Sequence, residues 1–200
     1  MQSFKRHAAR LLAATWMCLC AAAAQAAPVY HVDIDTSSLG GGTAWLGLSF
    51  LGLGGAAPAS ATVSHLAGDL LGAPEAMGAV TGGPPADLTF TGDGGGGDWT
   101  QAIQLGGHFT FDVGFLLADG NDGTTFSWSL FDDTHYLGVD GDLGSIELHP
   151  DAADGQRLSF TPDNAYSQVR AVPEPSAPLL VALAGFGLVF VRRRGGSGRT

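Results

Sequence analysis

The chain has 200 residues, with 19 acidic against 9 basic side chains and a formal net charge of -10 at pH 7. That length supports one domain with a sizeable core. The acidic balance excludes nucleic acid as an expected partner, because a polyanion would be repelled.

Lys5, Arg6 and Arg10 open the chain, and an apolar run follows from Leu11 to about Ala24. Ala24 and Ala26 supply the small residues that a signal peptidase requires, so 1–26 reads as a signal peptide cleaved before Ala27. Cys18 and Cys20 are the only cysteines and both fall inside it. The expected mature chain therefore has neither disulfide nor thiol chemistry, and its stability must come from its core.

From Ala27 to Val172 the imbalance sharpens: eighteen acidic residues stand against Arg157 and Arg170, a net charge of -16 with histidine neutral. Apolar residues recur with period two between turn residues, the signature of many short strands. VYHVDID sets Tyr30, Val32 and Ile34 on one face, and WLGLSFLGL does the same with Leu46, Leu48 and Phe50. ATVSHL reads as a further strand. AGDLLGAPEAM, within 66–77, is the one place for a helical turn, limited by Gly72 and Pro74. DLTFT puts Leu88 and Phe90 inward. The glycines of 92–97 read as a loop ahead of WTQAIQL.

The clearest alternation is HFTFDVGFLLA, with Phe109, Phe111, Val113, Phe115 and Leu117 on one face. TTFSWSL repeats it with Phe126, Trp128 and Leu130. Between them ADGNDG carries residues that tolerate positive φ, so these two strands are predicted to pair as a hairpin. SIELH (Ile146, Leu148), RLSFT (Leu158, Phe160) and YSQVRAV complete the set. About ten strands without an amphipathic helix predict an all-β domain over 27–171, an antiparallel β-sandwich of jelly-roll or Greek-key type.

Motifs for chemistry are sparse. GDGGGGDW lacks the Lys-Ser or Lys-Thr and the helix that a phosphate loop needs. GLSFLG around Ser49 departs from the nucleophile elbow and lies inside an alternating strand. Asp140 with Asp142, or Asp119 with Asn121 and Asp122, offers the start of a calcium shell, but neither matches an EF-hand loop. His31, His65, His108, His135 and His149 have no metal-motif spacing. No cofactor is expected, and the domain is expected not to be an enzyme. Were it to bind carbohydrate, exposed Trp45, Trp99 or Tyr136 would stack on sugar rings. A secreted hydrolase is the third reading.

The end of the chain is the most legible part. Val172-Pro173-Glu174-Pro175 precedes Leu179–Val191, thirteen uncharged and mostly apolar residues, and then Arg192, Arg193 and Arg194. As a helix that run spans about 20 Å against a hydrocarbon core of about 30 Å, short for a permanent span. The arginines would stay on the cytoplasmic side. Over 172–200 this order resembles the PEP-CTERM sorting signal of Gram-negative bacteria. The resemblance implies recognition by an exosortase, processing near Pro173, Glu174 and Pro175, and Arg192 to Arg194 as a basic stop. It also implies transient anchoring in the inner membrane by a C-terminal helix. The expected product is a non-catalytic protein of the cell surface or extracellular matrix, associated with exopolysaccharide or biofilm. The exported region also resembles, in pattern, uncharacterised proteins of that class through Val32 to Ser37, Phe109 to Phe115 and Phe126 to Asp132, which implies a shared fold and no activity.

Overall fold

A computed structural model describes residues 28–153 and 155–173. Outside the described residues lie the expected signal helix with Ala24, Ala26 and Ala27, and the expected C-terminal helix with Glu174, Pro175 and Arg192 to Arg194. Ala27–Val172 forms one compact unit. Within the described residues its strands are β1 (Val29–Asp35), β2 (Thr43–Gly52), β3 (Ala59–Ala67), β4 (Leu70–Gly78), β5 (Val80–Gly82), β6 (Leu88–Thr91), β7 (Gly96–Gln104), β8 (His108–Leu117), β9 (Thr124–Phe131), β10 (Asp142–Leu148), β11 (Leu158–Phe160) and β12 (Ser167–Val172).

The strands form two six-stranded antiparallel sheets, ordered β12-β1-β8-β3-β6-β5 and β11-β10-β9-β2-β7-β4. Alternation in the sequence dictates which side of each strand turns inward. Val32 and Ile34, Leu46, Leu48 and Phe50, Leu88 and Phe90, and the odd-numbered residues Phe109 to Val113 are all buried. Every residue of the described core lies between Val32 and Leu148, inside the compact unit. The sheets meet through aromatic rings: Phe126 of β9 packs edge-on against Phe90, Phe111 and Phe115 of the opposite sheet, with centroids 5.9–6.2 Å apart. Trp128 Nε1 donates to Ser167 Oγ at 2.9 Å, which ties β9 of one sheet to β12 of the other.

Three expectations need correction. The predicted hairpin of β8 and β9 does not exist, because β8 pairs with β1 and β3 while β9 pairs with β10 and β2. The loop 118–123 crosses from one sheet to the other, so their aromatic faces oppose each other instead of lying side by side. The segment proposed for a helical turn is the edge strand β4, whose register shifts between Leu71 and Glu75. Gln101 of β7 donates to the Leu71 carbonyl inside that irregularity, at 2.6 Å, and so satisfies it. Finally, Gly96 and Gly97 belong to β7, and only Asp93–Gly95 forms a turn of 3-10 helix.

The exposed edge of β12 is partly closed. The Ser167 and Val169 amides, which would otherwise invite another strand, donate to the side chains of Asn164 and Asp163. Val29 and Val172 are cross-strand partners, so the chain enters and leaves the sandwich side by side, with Pro173 directly after β12.

Candidate functional site

The sequence nominated three aromatic residues for sugar stacking, and the structure separates them. Trp99 is buried in the core at 1% exposure, which corrects its assignment to the surface. Trp45 is half-buried, and Tyr136 is 49% exposed. These two share a neighbourhood with Phe131, which the sequence reading missed. Trp45 and Phe131 are cross-strand partners on β2 and β9, and the rings of Phe131 and Tyr136 meet edge-on at 6.3 Å. A Cβ at Gly47 would lie 3.1 Å from the Phe131 ring, so the glycine lets that ring settle on the sheet.

Next to this aromatic cluster the outward face of the second sheet carries small hydroxyl residues. Ser49, Ser127 and Ser145 are successive cross-strand partners on β2, β9 and β10. Ser129 and Thr100 flank Gly47 one step closer to the rings. A shallow depression of 490 Å³ at the same end is lined by Phe131, Tyr136, Asp132, Asp133, Thr134 and Asp140, with His135 beside them.

A second cleft, of 410 Å³, opens between the sheets where the chain enters and leaves. Its mouth is formed by Tyr30 and Phe160, with ring centroids 4.8 Å apart, and by Leu116, which is 69% exposed. Burial raises the pKa of the Tyr30 phenol. Arg157 at its edge donates to the Ala118 and Pro150 carbonyls and pairs with Asp119 at 3.1 Å.

All five histidines of the described residues contact carboxylates. On the outward face of the first sheet, Asp112 accepts from His31 at 2.7 Å and from His65 at 2.9 Å. His108 donates to Asp33 at 2.8 Å and has Asp35 at 3.9 Å. Three imidazoles also meet a hydroxyl: His65 with Ser64, His135 with Thr134, and His149 with Ser159 at 2.8 Å. In each of these the hydroxyl and the carboxylate approach the same ring nitrogen. A catalytic triad needs them on opposite nitrogens, one to receive the proton and one to orient the ring. Ser49, the residue nearest a nucleophile motif, sits in mid-strand and donates to Asp98.

Among the described residues no three of His, Cys, Asp and Glu converge to hold a metal ion. Of the residues considered for calcium, Asp119 is taken up by Arg157, and Asp140 lines the depression beside Tyr136. Asp132 is held below the usual carboxylate range by hydrogen bonds from the Thr134 hydroxyl and the Thr134 and His135 amides. Asp35 is lowered by its bond from Ser37.

The His108 pKa is raised, first by its hydrogen bond to Asp33, then by the charges of Asp33 and Asp35. The stabilisation linked to it is fully present below about pH 6.5, the unfolded value, and is lost as pH rises through the higher folded value. An NMR titration of the His108 ring should therefore show a midpoint above that of a free imidazole. Asp33→Asn should pull the midpoint down, and an unchanged midpoint would refute the assignment.

No protein-family model matches the chain, and neither the curated proteins nor the solved structures include a match. Among the described residues no helix is long and apolar enough to cross a membrane.

Proposed function

We propose that the chain is an exported, non-catalytic protein of the Gram-negative envelope or extracellular matrix, sorted by an exosortase and processed near Pro173-Glu174-Pro175. One observation carries this reading: the Pro-Glu-Pro run, the thirteen-residue apolar stretch and Arg192 to Arg194 follow one another in the order of a PEP-CTERM signal. A basic start and a signal-peptidase site at Ala24 to Ala27 agree with export through the inner membrane. The apolar stretch is short for a permanent span, so it acts as a transient anchor before release to the surface or the exopolysaccharide matrix. The pairing of Val29 with Val172 is compatible with this reading, since the domain ends emerge together and both flanking segments could meet one membrane. The non-catalytic reading draws support from the shared-nitrogen contacts of the histidines.

Intact-mass measurement on the protein from its native host should find a chain that starts at Ala27 and ends near Pro175. A major species retaining Arg192 to Thr200 would point to an ordinary anchor and overturn the sorting proposal.

A second reading, a carbohydrate-binding module, is favoured by the cluster of Trp45, Phe131 and Tyr136 on an outward sheet face. We read the order β1-β8-β3-β6 opposite β2-β7-β4 as a jelly roll, extended by further strands at its edges. The fold itself assigns no ligand, so this reading rests on the cluster.

A further inference from the structure

The outward face of the β10-β9-β2-β7 sheet has an unusual distribution of side-chain size. Its centre is built from small residues, with Gly47, Ser49, Ser127, Ser129 and Thr100 as near neighbours. Its end toward Asp132 is bounded by Trp45, Phe131 and Tyr136, which make no part of the buried core. Nothing in the packing of the sandwich requires three aromatic residues there, and leaving them partly exposed costs hydrophobic free energy. Beside the Phe131 ring, which rests over Gly47, the small hydroxyl residues leave a shallow trough with one aromatic wall.

We propose that this trough holds a neutral polysaccharide chain. The inference rests on the carbohydrate-binding reading above and names its site and ligand class. A sugar ring presents an apolar C–H face and a rim of hydroxyls, which need an aromatic surface and short hydrogen-bonding groups. Trp45 and Tyr136 provide the first, and Ser129, Thr100 and the carboxylates of Asp132 and Asp140 provide the second. The small floor lets a polymer lie close to the sheet and continue past both sides. Charge selects within the class: Asp132, Asp133 and Asp140 border the rings, and the domain carries -16, so a uronate or sulfated polymer is repelled. The cleft at Tyr30 and Phe160 is less suited, because those two rings already pack on each other across its mouth.

The test uses the chain from Ala27 to Pro175, which contains the whole described core. Native affinity gels would carry a mixed-linkage glucan, a galactomannan, dextran or the polyanion alginate. At least one neutral polysaccharide should retard the protein and alginate should not. Trp45→Ala and Tyr136→Ala should each weaken binding about tenfold or more. Thr100→Arg, which lays a long side chain across the floor, should abolish it, with unfolding midpoints showing that all three variants remain folded. The proposal is overturned if no neutral polysaccharide retards the chain, if alginate alone does, or if all three variants bind as well as the parent. None of these results bears on the intact mass of the exported product, so the sorting proposal stands or falls separately.

Discussion

Phe126→Ala should be among the most damaging single substitutions in the domain, lowering its unfolding free energy by about 3–5 kcal/mol. Phe126 is fully buried and its ring contacts those of Phe90, Phe111, Phe115 and Trp128. Three of these partners belong to the opposite sheet, so the truncation removes the centre of the inter-sheet contact along with its own transfer free energy. Edge-on aromatic pairs contribute about 0.5–1.5 kcal/mol each beyond area burial, which puts this site toward the upper end of the range. A domain of this size has only about 5–15 kcal/mol in total, so the variant should unfold roughly 10 °C or more below the parent. Phe115→Ala is the control, since Phe115 is 7% exposed and its ring meets only that of Phe126 among the described aromatic pairs. Urea unfolding of the two variants separates the cases. Equal losses at the two positions would mean that the sheets are not held through Phe126.

The same ring explains what the sequence could and could not reveal. Period-two patterning identified the inward residues of β1, β2, β6, β8, β9 and β10, because a half-buried strand has no other way to hide its apolar side. It did not reveal which sheet each strand joins. ADGNDG has the composition of a hairpin turn, yet six residues also suffice to cross between sheets. Opposing the Phe-rich faces of β8 and β9 lets Phe126 pack directly on Phe111 and Phe115 across the sandwich. Trp99 was misread for a related reason. The residue two places on, Gln101, is polar yet 2% exposed, and it points inward to bind backbone carbonyls at the irregular edge of β4. A long-range hydrogen bond of that kind leaves no trace in local patterning.

The candidate site was half legible. Trp45 and Tyr136 stood out as large aromatic residues in an acidic, turn-rich context. Phe131 did not, although the alternation of TTFSWSLF already placed it outward with Thr125, Ser127 and Ser129. Most of the histidine contacts were invisible, because those of His31, His65 and His108 with carboxylates join separate strands and that of His135 depends on the turn at Asp132, whereas His149 and Glu147 stand two residues apart. The proposed sorting motif is the reverse case: a signal that an enzyme reads as a linear segment needs no fold to be legible.

Gly96→Ala should cost about 3–5 kcal/mol, a loss unexpected for a glycine in a run of four. Gly96 opens β7 at φ +103, a conformation that L residues rarely adopt, and forcing it costs about 1–3 kcal/mol. A Cβ there would also run into the carbonyl oxygen of Phe50, part of the neighbouring strand's backbone, which cannot swing aside as a side chain could. Relief requires β7 to move away from β2, two strands paired along nine positions, with a further penalty of about 1–3 kcal/mol. Gly94, two residues earlier, has φ +66 and nothing within 4 Å of where a Cβ would stand, so Gly94→Ala should cost only about 1–2 kcal/mol. The two glycines look identical in the sequence, and the chain's passage from β6 in one sheet to β7 in the other makes them unequal. Losses within about 1 kcal/mol of each other, from urea midpoints at matched slope, would show that β7 does not approach β2 at Gly96 as described.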